Sequence, residues 1–149
     1  MTFIEKLASV QAVFIDTAPI IYYIEAHPQF GPLARQAVNA FQAGRLRAFT
    51  SVTTLVEVLP KPVEAGDMAL ADQFIAFLRH GKHIDLLEIS ADIAESAGKL
   101  RGKYPALRTM DAIQIAVALD IGADAFITND RRLKSVTEID VIVLKDYLP

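Results

Sequence analysis

AVFIDTAPIIYYIE (residues 12–25) runs an apolar strand into a carboxylate, Asp16, and restarts after Thr17 as a helix. Pro19, with its fixed φ and missing N–H, suits the first turn of a helix over Ile20 to Ala26. Downstream, FGPLARQAVNAFQAG places Ala34, Ala37, Val38 and Phe41 on one helical face, with Pro32 near its start and Gly44 at its end. LRAFTS reads as a strand. Ser51 then caps a helix whose expected apolar stripe is Val52, Leu55, Val56 and Leu59, stopped by Pro60. Asp67 caps a helix burying Ala71, Phe74, Ile75 and Leu78, a strand follows around Ile84 to Ile89, and Ser90 caps a helix reaching Lys103. A last helix spans Thr109 to Ile121 and ends at Gly122, before two short strands, AFIT and VIVL. Short strands, apolar on both faces and alternating with helices, predict a three-layer α/β/α sandwich with a mostly parallel sheet of about five strands.

At 149 residues, with no repeat, low-complexity tract or flexible linker, the chain is expected to form a single domain over 1–149. It has no cysteine, which excludes a disulfide framework and thiolate chemistry and favours a reducing, cytoplasmic location. The first ten residues, MTFIEKLASV, carry Glu5 and Lys6 and no long apolar run, so neither a signal peptide nor a membrane span is expected. A net charge of -3 argues against indiscriminate binding to nucleic acid or membrane, while a local basic patch remains compatible with phosphate.

Ligands of parallel α/β sheets lie beyond the carboxyl ends of the strands. Asp16 ends the first strand, and Asp130, in AFITNDRRL, lies just past the AFIT strand. The helix opening at Thr109 runs antiparallel to that strand, which returns Asp111 to the same rim. Glu57 sits at the margin of its helix's apolar face, about 9 Å of rise beyond Ser51, and reaches the rim only if that helix leans across the sheet's end. Singly, each acid has an ordinary explanation as a turn, capping or solvated residue. Their company alters the balance: carboxylates gathered at the edge of an apolar core repel one another and take up protons unless a cation neutralises them. Oxygen donors without cysteine or clustered histidine favour Mg²⁺ or Mn²⁺. His27, His80 and His83 are scattered and read as surface or packing residues. The chain lacks GxSxG, GxGxxG and GxxxxGK motifs.

VFIDTAPIIYYIE, TTLVEVL, TMDAIQIAVAL and FITNDRRL, in this order over nearly the whole length, resemble the four acidic motifs of PIN domains, in particular VapC-type toxins of toxin–antitoxin pairs. The resemblance implies a metal-dependent ribonuclease with Asp16, Glu57, Asp111 and Asp130 around one or two Mg²⁺ or Mn²⁺ ions, supported by Thr17 and by Thr128 or Asn129. It also implies a homodimer, inhibited by a small antitoxin that covers the active groove. In the mechanism it suggests, Asp16 and Asp111 bind the metal and Asp130 completes its coordination or orients water. Glu57 binds a second ion or helps move the proton. The first strand starts about ten residues later than in many members, so the N-terminus is expected to be an added turn.

Cations flank the proposed rim: Arg108 precedes Asp111, and Arg131, Arg132 and Lys134 follow Asp130, with Arg108 and Arg131 the candidate phosphate contacts. Tyr22 and Tyr23 offer stacking faces for a base, but apolar helix packing is the better explanation of them. Two other classes are open. A phosphohydrolase of the haloacid dehalogenase type needs a second Asp two residues after the first, where Ala18 stands; a catalytically silent interaction domain of the same fold would keep the sheet and lose the chemistry.

Overall fold

β1 (Ala12–Ile15) is hydrogen-bonded on both sides in the computed structural model, which describes all residues from Met1 to Pro149. On one side Val13 pairs with Ala48 of β2 (Arg47–Ser51); on the other it pairs with Ala125 of β4 (Ala125–Thr128). β3 (Ile84–Leu87) and β5 (Asp140–Val143) form the edges of a sheet ordered β3-β2-β1-β4-β5, with every pairing parallel. The order reverses beside β1, which is the strand that delivers Asp16, and such switch points open a crevice at the strand ends.

Alternation along β1 separates the two layers of core. Phe14 points to one face and stacks on Phe126 at 5.4 Å, joining Phe49 and the buried faces of α7 (Ala91–Lys103) and α8 (Thr109–Asp120). Val13 and Ile15 point to the other, against α2 (Thr17–Ile24), α3 (Gly31–Gln42) and α6 (Met68–His80). The expected face of α3 is buried in full, as are Ala71, Phe74 and Leu78 of α6.

Several details differ from the sequence-based expectations. The N-terminus is a helix, α1 (Phe3–Ala8), closed by a reciprocal cap between Thr2 and Glu5; Phe3 and Leu7 are buried, and Phe3 packs on Tyr147 at 5.3 Å. α2 starts at Thr17, because Asp16 itself caps it by accepting the Thr17 N–H at 2.9 Å. In α4 (Val52–Val58) the buried residues are Thr53, Thr54 and Val58, while Val56 is exposed. The helix turns a polar face inward, where Thr54 finds hydroxyl and amide partners from α2, β2 and α8. Pro60 ends α4 and opens α5 (Pro60–Glu64) at its first position, where a missing N–H is harmless. β3 stops at Leu87 and carries the exposed Asp85, as an edge strand covered on one face can. No helix is long and apolar enough to cross a membrane.

Candidate active site

Asp16, Thr17, Tyr22, Glu57, Arg108, Asp111, Thr128, Asn129 and Asp130 line one cavity of about 250 Å³ at the carboxyl rim of the sheet. All four acids are therefore brought together from segments far apart in the chain. β1 delivers Asp16, whose Oδ1 accepts the Thr17 N–H and whose Oδ2 accepts the Thr128 hydroxyl at 2.8 Å. Thr128 also accepts the Asp130 N–H at 3.2 Å, tying the ends of β1 and β4 to each other. Burial pushes the Asp16 carboxyl up to about 6; its two hydrogen bonds oppose the rise, and the charges of Asp111 and Glu57 add to it.

α4 does lean across the sheet end. The Thr17 hydroxyl donates to Glu57 Oε1 at 2.7 Å, across 40 residues of sequence. Behind that contact lies a buried network the sequence did not reveal. Gln114, wholly buried on α8, donates Nε2 to Thr54 at 2.9 Å and to Thr17 at 3.4 Å, and accepts the Ser51 hydroxyl. Thr54 in turn meets Thr50 at 2.9 Å and Thr17 at 3.2 Å. The only sequence sign was Gln114 as the lone polar residue in AIQIAVAL.

Arginines hold the other two acids. Arg108 Nε bonds Asp111 at 3.2 Å and its Nη2 lies 3.6 Å from Asp130, so one guanidinium bridges both carboxylates. Arg132 grips Asp130 through Nε at 3.0 Å and Nη2 at 2.6 Å, and this contact above all lowers the Asp130 pKa. Arg131, the residue expected near phosphate, instead places Nε 3.1 Å from Asp146 and does not line the cavity. Asn129 works as a strut: its amide donates to the Tyr22 hydroxyl at 3.1 Å and accepts the Lys145 N–H at 2.9 Å. Tyr22 packs on His27 and Phe30, Tyr23 on Phe77, and His27 Nδ1 accepts the N–H groups of Gln29 and Phe30.

The donor set suits a hard divalent cation in kind: it is all oxygen, and it includes a carboxylate whose ionisation burial opposes and a cation would favour. In the present arrangement no three acids are close enough to enclose one ion. Arg108 engages Asp111 through Oδ2 alone, while Arg132 holds both oxygens of Asp130.

The raised Asp16 pKa has a measurable consequence. A carboxyl that holds its proton more tightly folded than unfolded contributes stability that is complete below its unfolded pKa of about 4 and is lost as pH rises through about 6. The ionised group at pH 7 costs up to about 3 kcal/mol. Asp16→Asn is therefore expected to raise the Tm of the metal-free protein at pH 7.5 by about 3–6 °C and to flatten the decline between pH 4.5 and 6.5. Melting curves across that range check it, and a variant that keeps the wild-type slope contradicts it.

Comparison with known proteins matches the geometry. The family model described as PIN domain covers residues 13–139. Among solved structures, VapBC2 from Rickettsia felis bound to a promoter DNA fragment superposes with a TM-score of 0.73 at 15% identity, over 89% of this chain and 98% of that one. A toxin–antitoxin complex from Klebsiella pneumoniae gives 0.64 at 22% identity, over 89% and 97%. VapC20 of Mycobacterium tuberculosis, a sarcin–ricin-loop-cleaving toxin, gives 0.65 at 18% identity, over 86% and 98%. No curated protein matches in sequence. The family match runs from β1 through β4 and takes in all four acids of the rim, on a sheet shared with these structures: the chain belongs to the PIN domain family.

Proposed function

We propose that this protein is a divalent-metal-dependent endoribonuclease, the toxin of a toxin–antitoxin pair, acting as one unit over residues 1–149 in the cytoplasm. The observation that carries this reading is the convergence of Asp16, Glu57, Asp111 and Asp130 on one cavity. Similarity to toxin–antitoxin structures supports an antitoxin as partner; a homodimer is the working state that the family resemblance implies.

Asp16, Asp111 and Asp130 hold the metal, one or two ions of Mg²⁺ or Mn²⁺, with Glu57 beside them. When bound, the metal supplies positive charge against the phosphoryl oxygens and acidifies water. Thr128 and the Thr17 N–H fix both oxygens of Asp16, so that carboxylate is preorganised. Thr17 fixes Glu57 through Oε1, where the carboxylate can receive a proton from attacking water. Four carboxylates face two guanidiniums here, an acidic balance that repels phosphate until cations arrive. Arg108, which bridges Asp111 and Asp130 and is largely exposed, becomes a contact for the RNA backbone.

One observation favours a second reading. Guanidiniums seated on Asp111 and Asp130 are also how a catalytically silent domain would neutralise its acids. The dehalogenase-type alternative lacks its second carboxylate, because Ala18 lines the cavity at that point. The separating experiment incubates the purified protein with structured cellular RNAs, with Mg²⁺, with Mn²⁺ and with chelator. Cleavage confined to the metal-containing reactions is expected; intact RNA in all of them overturns the nuclease reading in favour of the silent one.

A further inference from the structure

A second cavity of about 320 Å³ adjoins the acidic one, and Asp111 lines both. Arg132, whose guanidinium grips Asp130, also lines the second cavity. The two spaces thus meet at Asp111, and Arg132 reaches from the second to Asp130 on the rim of the first. Beyond that point the chemistry changes: Leu107 and Leu133, 7% and 2% exposed, supply apolar surface, and Tyr104 supplies a half-buried ring. The ring is fixed in place, since its hydroxyl donates to Glu138 and Lys103 Nζ lies over it at 5.4 Å from the centroid. Ser135 and Arg132 give the pocket a polar edge.

We infer that this pocket receives the nucleobase next to the scissile phosphate. A half-buried aromatic ring beside apolar lining, with hydrogen-bonding groups along one edge, matches a base, which has two apolar faces and a polar rim. The position matches as well: the pocket adjoins the acidic cavity at Asp111, within one nucleotide's reach of a phosphate held at Asp111 and Asp130. Arg132 uses Nε and Nη2 on Asp130 and leaves Nη1 without a protein partner, so the edge it offers is a donor. A donor edge selects a base with a carbonyl acceptor, guanine above all, and disfavours adenine, whose corresponding group is an amine. The inference rests on the ribonuclease reading for the identity of the polymer, and binding of the base itself requires neither metal nor cleavage.

The test uses NMR of the full chain in chelator, following leucine methyl signals during titration with GMP, AMP, CMP, UMP or inorganic phosphate. GMP is expected to shift Leu107 and Leu133, AMP to bind about fivefold or more weakly, and phosphate to leave both methyls unmoved. Ala106→Trp and Ser135→Trp, at exposed positions on the pocket, are each expected to weaken GMP roughly tenfold, the effect of losing one stacked base. Equal responses to GMP and phosphate, or no leucine response to any nucleotide, overturn the inference. Leucine shifts in a protein that cuts no RNA would instead retain the pocket and remove the nuclease reading; metal-dependent cleavage without leucine shifts would do the reverse.

Discussion

Asp111→Asn is expected to lower kcat for RNA cleavage by roughly 10²–10³-fold, the scale on which removing one preorganised charged group acts at such centres. The fold should survive. Asp111 lies in the first turn of α8, and its one side-chain partner is the exposed Arg108, so the substitution removes a surface ion pair of small energetic weight. Circular dichroism and Tm should stay close to wild type while product formation falls. Cleavage by the variant at the wild-type rate would identify a contaminating nuclease or show that Asp111 takes no part. Because Asn can still accept a hydrogen bond, the loss reports the missing negative charge.

Gln114→Leu should produce the largest loss of stability, about 2–4 kcal/mol, and a fall in Tm of about 6–12 °C. Leucine preserves the volume but strips partners from Ser51, Thr54 and Thr17, all buried hydroxyls. Replacing both partners of a buried hydrogen bond is milder than orphaning one, so Gln114→Leu combined with Thr54→Val should recover part of the loss. The site should register the change too. Thr17 loses the amide that orients it, Glu57 loses a fixed Thr17, and kcat should drop with KM little changed. A variant with unaltered Tm would show that the network carries no stability.

How far the sequence could be read follows from which residues carry an apolar signal. β1, β4 and β5 were legible because they are apolar on both faces, and α3 because its stripe is regular. α4 misled because its inward face carries Thr53 and Thr54; a hydrophobic template passes over a buried threonine such as Thr54, which pairs with a glutamine 60 residues away. α1 was read as a turn because only Phe3 and Leu7 mark its buried side. Asp16, Asp111 and Asp130 were legible from two strand ends and one helix start, since topology alone returns them to a single rim; Glu57 was not, because it lies inside α4 and reaches the rim only through the lean of that helix. The choice between Arg131 and Arg132 was not. On the 3-10 turn after Asp130, neighbouring side chains diverge by about 120°, sending Arg132 to Asp130 and Arg131 to Asp146. Composition is silent on which of two adjacent arginines turns inward.

The most direct test of the metal-centre claim is a Mn²⁺ titration of the chain at pH 7.5, with free ion quantified by electron paramagnetic resonance. Saturable uptake of one or two ions per chain is expected for the wild type, lost or greatly weakened in both Asp16→Asn and Asp111→Asn. Wild-type protein that leaves all the Mn²⁺ free, or variants that take up as much as wild type, would contradict that claim.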